Sequence, residues 1–491
     1  MLPNDKTAQP ENTKRLHGRL GLAGIIFIVV AGAAPLTVIG GPVPLAFAIG
    51  NGAGVPAMLL ITGAVLVLFA IGFTAMNKYV RTAGAFYSYA HTGISRSVGI
   101  GTGYVALLSY LSLYIGMFGL LGPAIGSMVQ LFGGPMAPWW LWSGIALVVI
   151  GMIGYRNIEF SGIILGILLV AEVLIVFLLD SVILFTSAHG QGLSTGFLDL
   201  QTVFSGAPGI AFLFAVLGFI GVEATAVFRD EAANPEKNVP RATYISVIFI
   251  AVFYFATSWL MVSGVGDSSI VAVAAEAPDL LLPNLMKEYV GQVGSDIVLA
   301  LFVTSIIACI LTFHNIVARY VFSLSARGLL PTRLSGVHPK LGSPSTASVT
   351  VSIVAGVCVA LGVMLQVDAV AQFYTWLVGL ASLGYVVLLV ITTVAVLMFF
   401  ARRRHIKISA MRRLAAPLLA LIGLLTALVL ILFNLLTLVG GNFAVAITVV
   451  VLLIAAFSAG PIIGTLLPNA GLEEAPGADL KAQLDALPAV S

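Results

Sequence analysis

The chain has 491 residues, of which 59% are hydrophobic and only 9% charged, with a net charge of +3 and a mean hydropathy of +1.09. Soluble domains carry charge on about a quarter of their residues, so this composition excludes a soluble enzyme or nucleic-acid binder and specifies an integral membrane protein. Cys309 and Cys358 both lie in apolar runs, where a thiol behaves as a small buried hydrophobe rather than half of a disulfide or a metal ligand.

Residues 1–18 are polar and lead into a long interrupted apolar run, which reads as an uncleaved span and not as the short hydrophobic region of a signal peptide. Runs of about 20 apolar residues cross ~30 Å of hydrocarbon. Cut at charges and at Gly, Pro and Asn clusters, the chain yields about twelve such spans: 20–50, 53–76, 97–130, 139–155, 158–185, 206–228, 242–264, 297–318, 345–367, 369–401, 414–440 and 443–467. They are called spans 1 to 12 below. Of the 23 Lys and Arg, all but Lys287 precede span 1 or follow an even-numbered span. The positive-inside rule therefore puts both termini in the cytoplasm. The expected organisation is a cytoplasmic tail over 1–18, a ten-span core over 19–401, a basic loop with spans 11 and 12 over 402–467, and a second cytoplasmic tail over 468–491. The outer segment 265–296, with Pro278 and Pro283, has room for short helices.

Span 1 is too long for one straight crossing and is interrupted twice, around Gly32–Thr37 and at Gly40-Gly41-Pro42. Proline removes a donor and clashes with the carbonyl four residues back. In lipid, freed backbone groups are tolerated only where protein or a watery cavity satisfies them. Span 6, five spans later, carries Gly218 and Gly221 on either side of Phe219-Ile220. Interrupted segments at corresponding positions of two halves point to a ligand site at the bilayer midplane. Five spans per half make the halves inverted repeats.

Ionisable groups at this depth are expensive and mark function by default. Glu172 is mid-span in span 5, and Glu223 follows the break in span 6. No basic residue lies inside a span to pair with them, which leaves a proton, a sodium ion or a cationic ligand to neutralise them. Glu159, three residues after Arg156, reads as an interfacial ion-pair partner, and Asp180 as reaching the outer headgroups. In span 3, Tyr110 and Tyr114 share a face at i,i+4 spacing, suited to lining a cavity or stacking on an amine. His314, five residues before Arg319, fits an interfacial position or a proton role equally.

The segment FIGVEATAVFRDEAANPEKNVPRA resembles the amino acid–polyamine–organocation (APC) superfamily, in which span 6 ends in an acid, a short linker and an Asn-Pro-x-Lys-x-(Ile/Val)-Pro motif. Here the motif is Asn234-Pro235, Lys237 and Val239-Pro240. The match continues in Ala83–Tyr89, in Arg327-Gly328-Leu329-Leu330-Pro331, and in His338-Pro339 and Ser343-Pro344. The resemblance implies an all-α LeuT-type fold with discontinuous helices 1 and 6, and alternating-access transport of amino acids or amines. It implies a ligand held at Ala33, Ala34, Leu36 and Thr37 of span 1 and at Gly218, Phe219, Ile220, Gly221 and Glu223 of span 6, with Tyr110 and Tyr114 alongside. The ligand carboxylate would lie on span 1 amides and its amine on span 6 carbonyls, as the helix-end dipoles favour. Many members carry Gly-Ser-Gly where this chain has Ala33-Ala34-Pro35, a narrower cradle with one donor fewer, so a carboxylate on the ligand stays open. Leu217 stands where the arginine antiporters of the superfamily place a gating Trp, so arginine/agmatine exchange is not inherited.

Together these features predict a plasma (inner) membrane secondary transporter and not an enzyme. The expected coupling ion is H+, taken up at Glu172 and Glu223, with symport as the mode. The expected partners are a small amino acid or amine and the lipid bilayer, with no cofactor, no metal and no nucleic acid. The rival classes are a polyamine or organic-cation carrier, an exchanger, and a non-transporting sensor or channel.

Overall fold

The computed structural model describes residues 21–80, 85–156, 162–189, 192–223, 225, 232–338, 343–406 and 408–466. The tails over 1–18 and 468–491, Glu159, and residues 224 and 226–231 after the span 6 break lie outside the described residues.

Among the described residues the regular elements are all helical. Ten helices are long and apolar enough to cross a bilayer, and they fall on spans 1–3, 5 and 7–12. The segments expected as spans 4 and 6 contain shorter apolar helices, Trp139–Tyr155 and Pro208–Leu217. Local chemistry sets many of the helix starts. Pro35, Pro42, Pro208 and Pro235 each stand in a first helical turn, where the missing N–H has no intrahelical partner to lose. Asp368 opens span 10 by accepting from the N–H groups of Val370 (2.9 Å) and Ala371 (2.6 Å), a side-chain cap.

Span 3, Arg96–Leu131, is the central post: its most apolar window is 83% buried, against 28% for span 11 and 22% for span 12. Spans 8, 10 and 12 pack directly against it. Span 1 lies against spans 5, 7 and 8, and the first half of span 6 against spans 2, 10 and 11. Between 265 and 296 the chain forms the short helices Ile270–Glu276 and Leu281–Tyr289.

Two side chains sit deeper than their sequence positions suggest, because their helices run on. Span 5 continues to His189, and Asp180 turns into the protein: it is 8% exposed and accepts from Thr257 Oγ1 at 2.8 Å. Span 8 continues to Ala326, which leaves His314 fully buried in the bundle.

Backbones approach closely where spans 3 and 12 meet. A Cβ added at Gly460 would lie 2.3 Å from Gly101 N and 2.4 Å from Ser97 O, whereas one added at Gly144 would meet nothing within 4 Å. Forcing extra carbon into such a contact costs about 1–3 kcal/mol. Gly460→Val is expected to lower the thermal unfolding midpoint of the purified protein, and Gly144→Val to leave it unchanged; equal midpoints would show that spans 3 and 12 do not touch there.

Candidate functional site at the two helix breaks

The first helix of span 1 ends at Gly32, and the next begins at Pro35. Between them Ala34 holds φ 46° and ψ 67°, a left-handed conformation that costs a residue with a Cβ about 1–2 kcal/mol. A second interruption at Gly41 precedes the short helix Pro42–Ala46, as the Gly-Gly-Pro sequence suggests. In span 6 the helix ends at Leu217, residues 218–223 form turns, and Gly221 takes φ 107°, which glycine alone adopts without strain. The two breaks face each other: a Cβ built on Gly221 would lie 3.9 Å from the carbonyl carbon of Gly32.

Glu223 folds back over the second break. Its Oε2 accepts from the Gly221 N–H at 2.9 Å and from Tyr385 Oη of span 10 at 2.8 Å, while Oε1 accepts from Tyr110 Oη of span 3 at 2.5 Å. None of these donors is a cation. A carboxylate with 7% exposure is thus satisfied by hydrogen bonds alone, as burial of a polar group demands. Tyr385 also lies within 3.4 Å of the Phe219 carbonyl oxygen, and the Phe219 ring meets Tyr254 edge-on at 6.2 Å. Ile220 bonds back to Leu217 through its N–H.

Glu172 does the corresponding work at the first break. Its Oε2 accepts from the Leu36 N–H at 3.4 Å and from Ser305 Oγ of span 8 at 3.0 Å, and Ser305 Oγ in turn accepts from Thr37 Oγ1 at 2.9 Å. The two acids singled out in the sequence therefore reach different breaks, and each binds one backbone amide that the break frees.

Tyr110 and Tyr114 part company despite sharing a helix face. Tyr110 joins Glu223, whereas Tyr114 Oη pairs with His314 Nδ1 at 3.1 Å, and His314 Nε2 pairs with Ser348 Oγ at 2.8 Å. Sequence reasoning missed Ser305, Tyr385, Tyr254 and Tyr320, since hydroxyl-bearing residues in apolar helices carry no signal of which way they face. Tyr254 Oη reaches the Ala33 carbonyl oxygen at 3.5 Å. Tyr320 stacks obliquely on Tyr110 with ring centroids 5.6 Å apart, and its buried hydroxyl has no hydrogen-bond partner among the described residues, which leaves a polar group for a ligand or a water. The cavity lined by Phe73, Phe219, Glu223, Thr243 and Tyr385 holds about 10 Å³, room for about one water. A ligand pocket measures roughly 300–1,000 Å³, so the spans around Glu223 must part before that face of the carboxylate meets anything larger.

Comparison with known proteins places the chain among membrane transporters by sequence and fold. The low-affinity putrescine importer PlaP of Escherichia coli (strain K12) is 25% identical over 304 residues, covering 59% of this chain and 64% of the importer's length. The aromatic amino acid transport protein AroP of Escherichia coli O6:H1 is 24% identical over 320 residues, covering 62% of this chain and 68% of that protein. Among solved structures, a point mutant of the manganese transporter of Eremococcus coleocola superposes with a TM-score of 0.51 at 12% identity, over 94% of this chain and 98% of that one, a likeness of fold. A model described as amino acid permease matches residues 20–457. With that model spanning both breaks and every apolar helix but the end of the last, the chain belongs to the amino acid permease family.

Proposed function

We propose that the protein is a secondary active transporter that moves amino acids or related amines across the plasma (inner) membrane by alternating access. In this proposal spans 1–5 and 6–10 form the two inverted halves, both termini are cytoplasmic, and uptake is coupled to protons. The observation that carries it is Glu223, a carboxylate deep in the bundle whose three donors come from spans 3, 6 and 10 at the face of one break, whose Gly221 lies against Gly32 of the other. A group bound in this way exchanges partners when the spans move. Parting span 10 or span 3 from span 6 removes Tyr385 or Tyr110, and a proton or an amine must then replace the lost donors. That exchange links ligand, proton and conformation through one atom pair. Glu172, tied to spans 1 and 8, is the second group at which a proton is taken up in this scheme. The roles of the relatives, putrescine import and aromatic amino acid transport, support a small amine-bearing cargo.

The test is uptake into proteoliposomes of radiolabelled amino acids and amines, with and without a proton gradient. Wild-type uptake is expected to rise as the external pH falls; acceleration by internal substrate with no pH gradient would establish exchange instead. Glu223→Gln is expected to cut uptake at least tenfold and to flatten its pH dependence, and retention of both would remove Glu223 from the mechanism. Tyr385→Phe deletes one hydrogen bond to a charged group, about 1.5–3 kcal/mol, and is expected to raise the half-saturation concentration about tenfold with the fold intact. If Glu172→Gln kept the full response to the gradient, coupling would be confined to Glu223.

A further inference from the structure

We propose that Glu172 disfavours carboxylates in the ligand site, so that this permease selects amines lacking one over the corresponding amino acids. The inference rests on the breaks being the ligand site, as proposed above, and deepens it by naming what is bound.

Three of the amides at the first break are already committed and one is absent. The Ala33 N–H donates to Val29 O at 3.1 Å and the Ala34 N–H to Ala31 O at 3.1 Å. Pro35 has no N–H, and the Leu36 N–H donates to Glu172 Oε2. Of residues 33 to 37, Thr37 alone keeps a backbone N–H without an acceptor among the described residues, so a ligand carboxylate finds one amide there, next to Glu172, and would have to displace a protein oxygen to gain a second. Displacing Glu172 is resisted twice over. Ser305 gives its only hydroxyl proton to Glu172 while accepting from Thr37, so the chain Thr37 to Ser305 to Glu172 runs in one direction and ties spans 1, 5 and 8 together. A second carboxylate brought to the same amide would also face Glu172 at hydrogen-bonding range, where two like charges cannot both persist.

The charge inventory of the site points the same way. Among the described residues its acids are Glu172 and Glu223, and the partners of both are hydroxyls and backbone amides. The buried base nearby, His314, has both ring nitrogens paired, with Tyr114 and Ser348. Two acids without a free cation favour an ammonium group over a carboxylate, to which the site offers only neutral donors such as the Tyr320 hydroxyl.

The purified full-length protein is titrated with a panel of amino acids, each beside its own decarboxylated amine, phenylalanine with phenethylamine and lysine with cadaverine among them. Binding is read by calorimetry or thermal shift, with millimolar ligand so that weak binders register. At least one amine is expected to bind ten or more times more tightly than its parent amino acid. Glu172→Ala is expected to shrink that ratio at least tenfold by vacating the Leu36 amide, and Glu172→Gln, which keeps an acceptor oxygen and the packing, to shrink it by a smaller factor. A panel in which no amine is preferred overturns the proposal, as does a preference unchanged in Glu172→Gln and in any folded Glu172→Ala. Counterflow of the preferred amine through proteoliposomes separates this outcome from the transport proposal: binding with the stated preference but without movement would leave the selectivity standing and remove the carrier function.

Discussion

A carboxylate in the middle of a bilayer-spanning bundle must find hydrogen-bond donors inside the protein, and much of the arrangement here follows from that requirement at Glu223. Its oxygens collect a backbone amide from its own broken span and a tyrosine hydroxyl from each of spans 3 and 10. The break supplies the amide, because Gly221 leaves the helical conformation. The tyrosines then determine how close the central post and span 10 lie to span 6. One costly group therefore specifies the mutual placement of three helices that apolar packing alone would let slide.

The first break obeys the same rule with different parts. Leu36 offers the freed amide, Glu172 arrives from span 5, and Ser305 arrives from span 8. Break 1 is thus clamped by spans 5 and 8, and break 6 by spans 10 and 3. Each clamp of one break is five spans removed from a clamp of the other. The chemistry of the two clamps nonetheless differs. Break 6 holds an acid of its own span against tyrosines; break 1 holds a foreign acid against a serine, and that acid occupies the amide that a ligand carboxylate would seek.

The strained and the small residues fall where these clamps need them. Ala34 in the left-handed region turns the chain between two half-helices, and Pro35 restarts the helix without a donor to satisfy. At the periphery, Gly101 and Gly460 let spans 3 and 12 touch backbone to backbone. Spans 11 and 12 present most of their surface outward, with Phe433 at 83% and Ile454 at 61% exposure.

By itself the sequence determined the class of molecule, the positions of the apolar spans, the breaks near Gly32–Thr37 and Gly218–Gly221, and the two acids worth attention. Those properties are local: length, hydropathy, proline, glycine and a misplaced charge are each legible within a few residues. Only the tertiary structure decided which acid meets which break, that Tyr110 faces the site while Tyr114 turns to His314, and that Ser305 and Tyr385 complete the clamps. It also buried Asp180 and His314, because both helices run on beyond the apolar spans read from the sequence. The physical reason is common to all of these. In a helix that is apolar all round, no periodicity marks the face turned to a neighbour, so the partner of a polar side chain is settled by packing between spans and not by spacing along one.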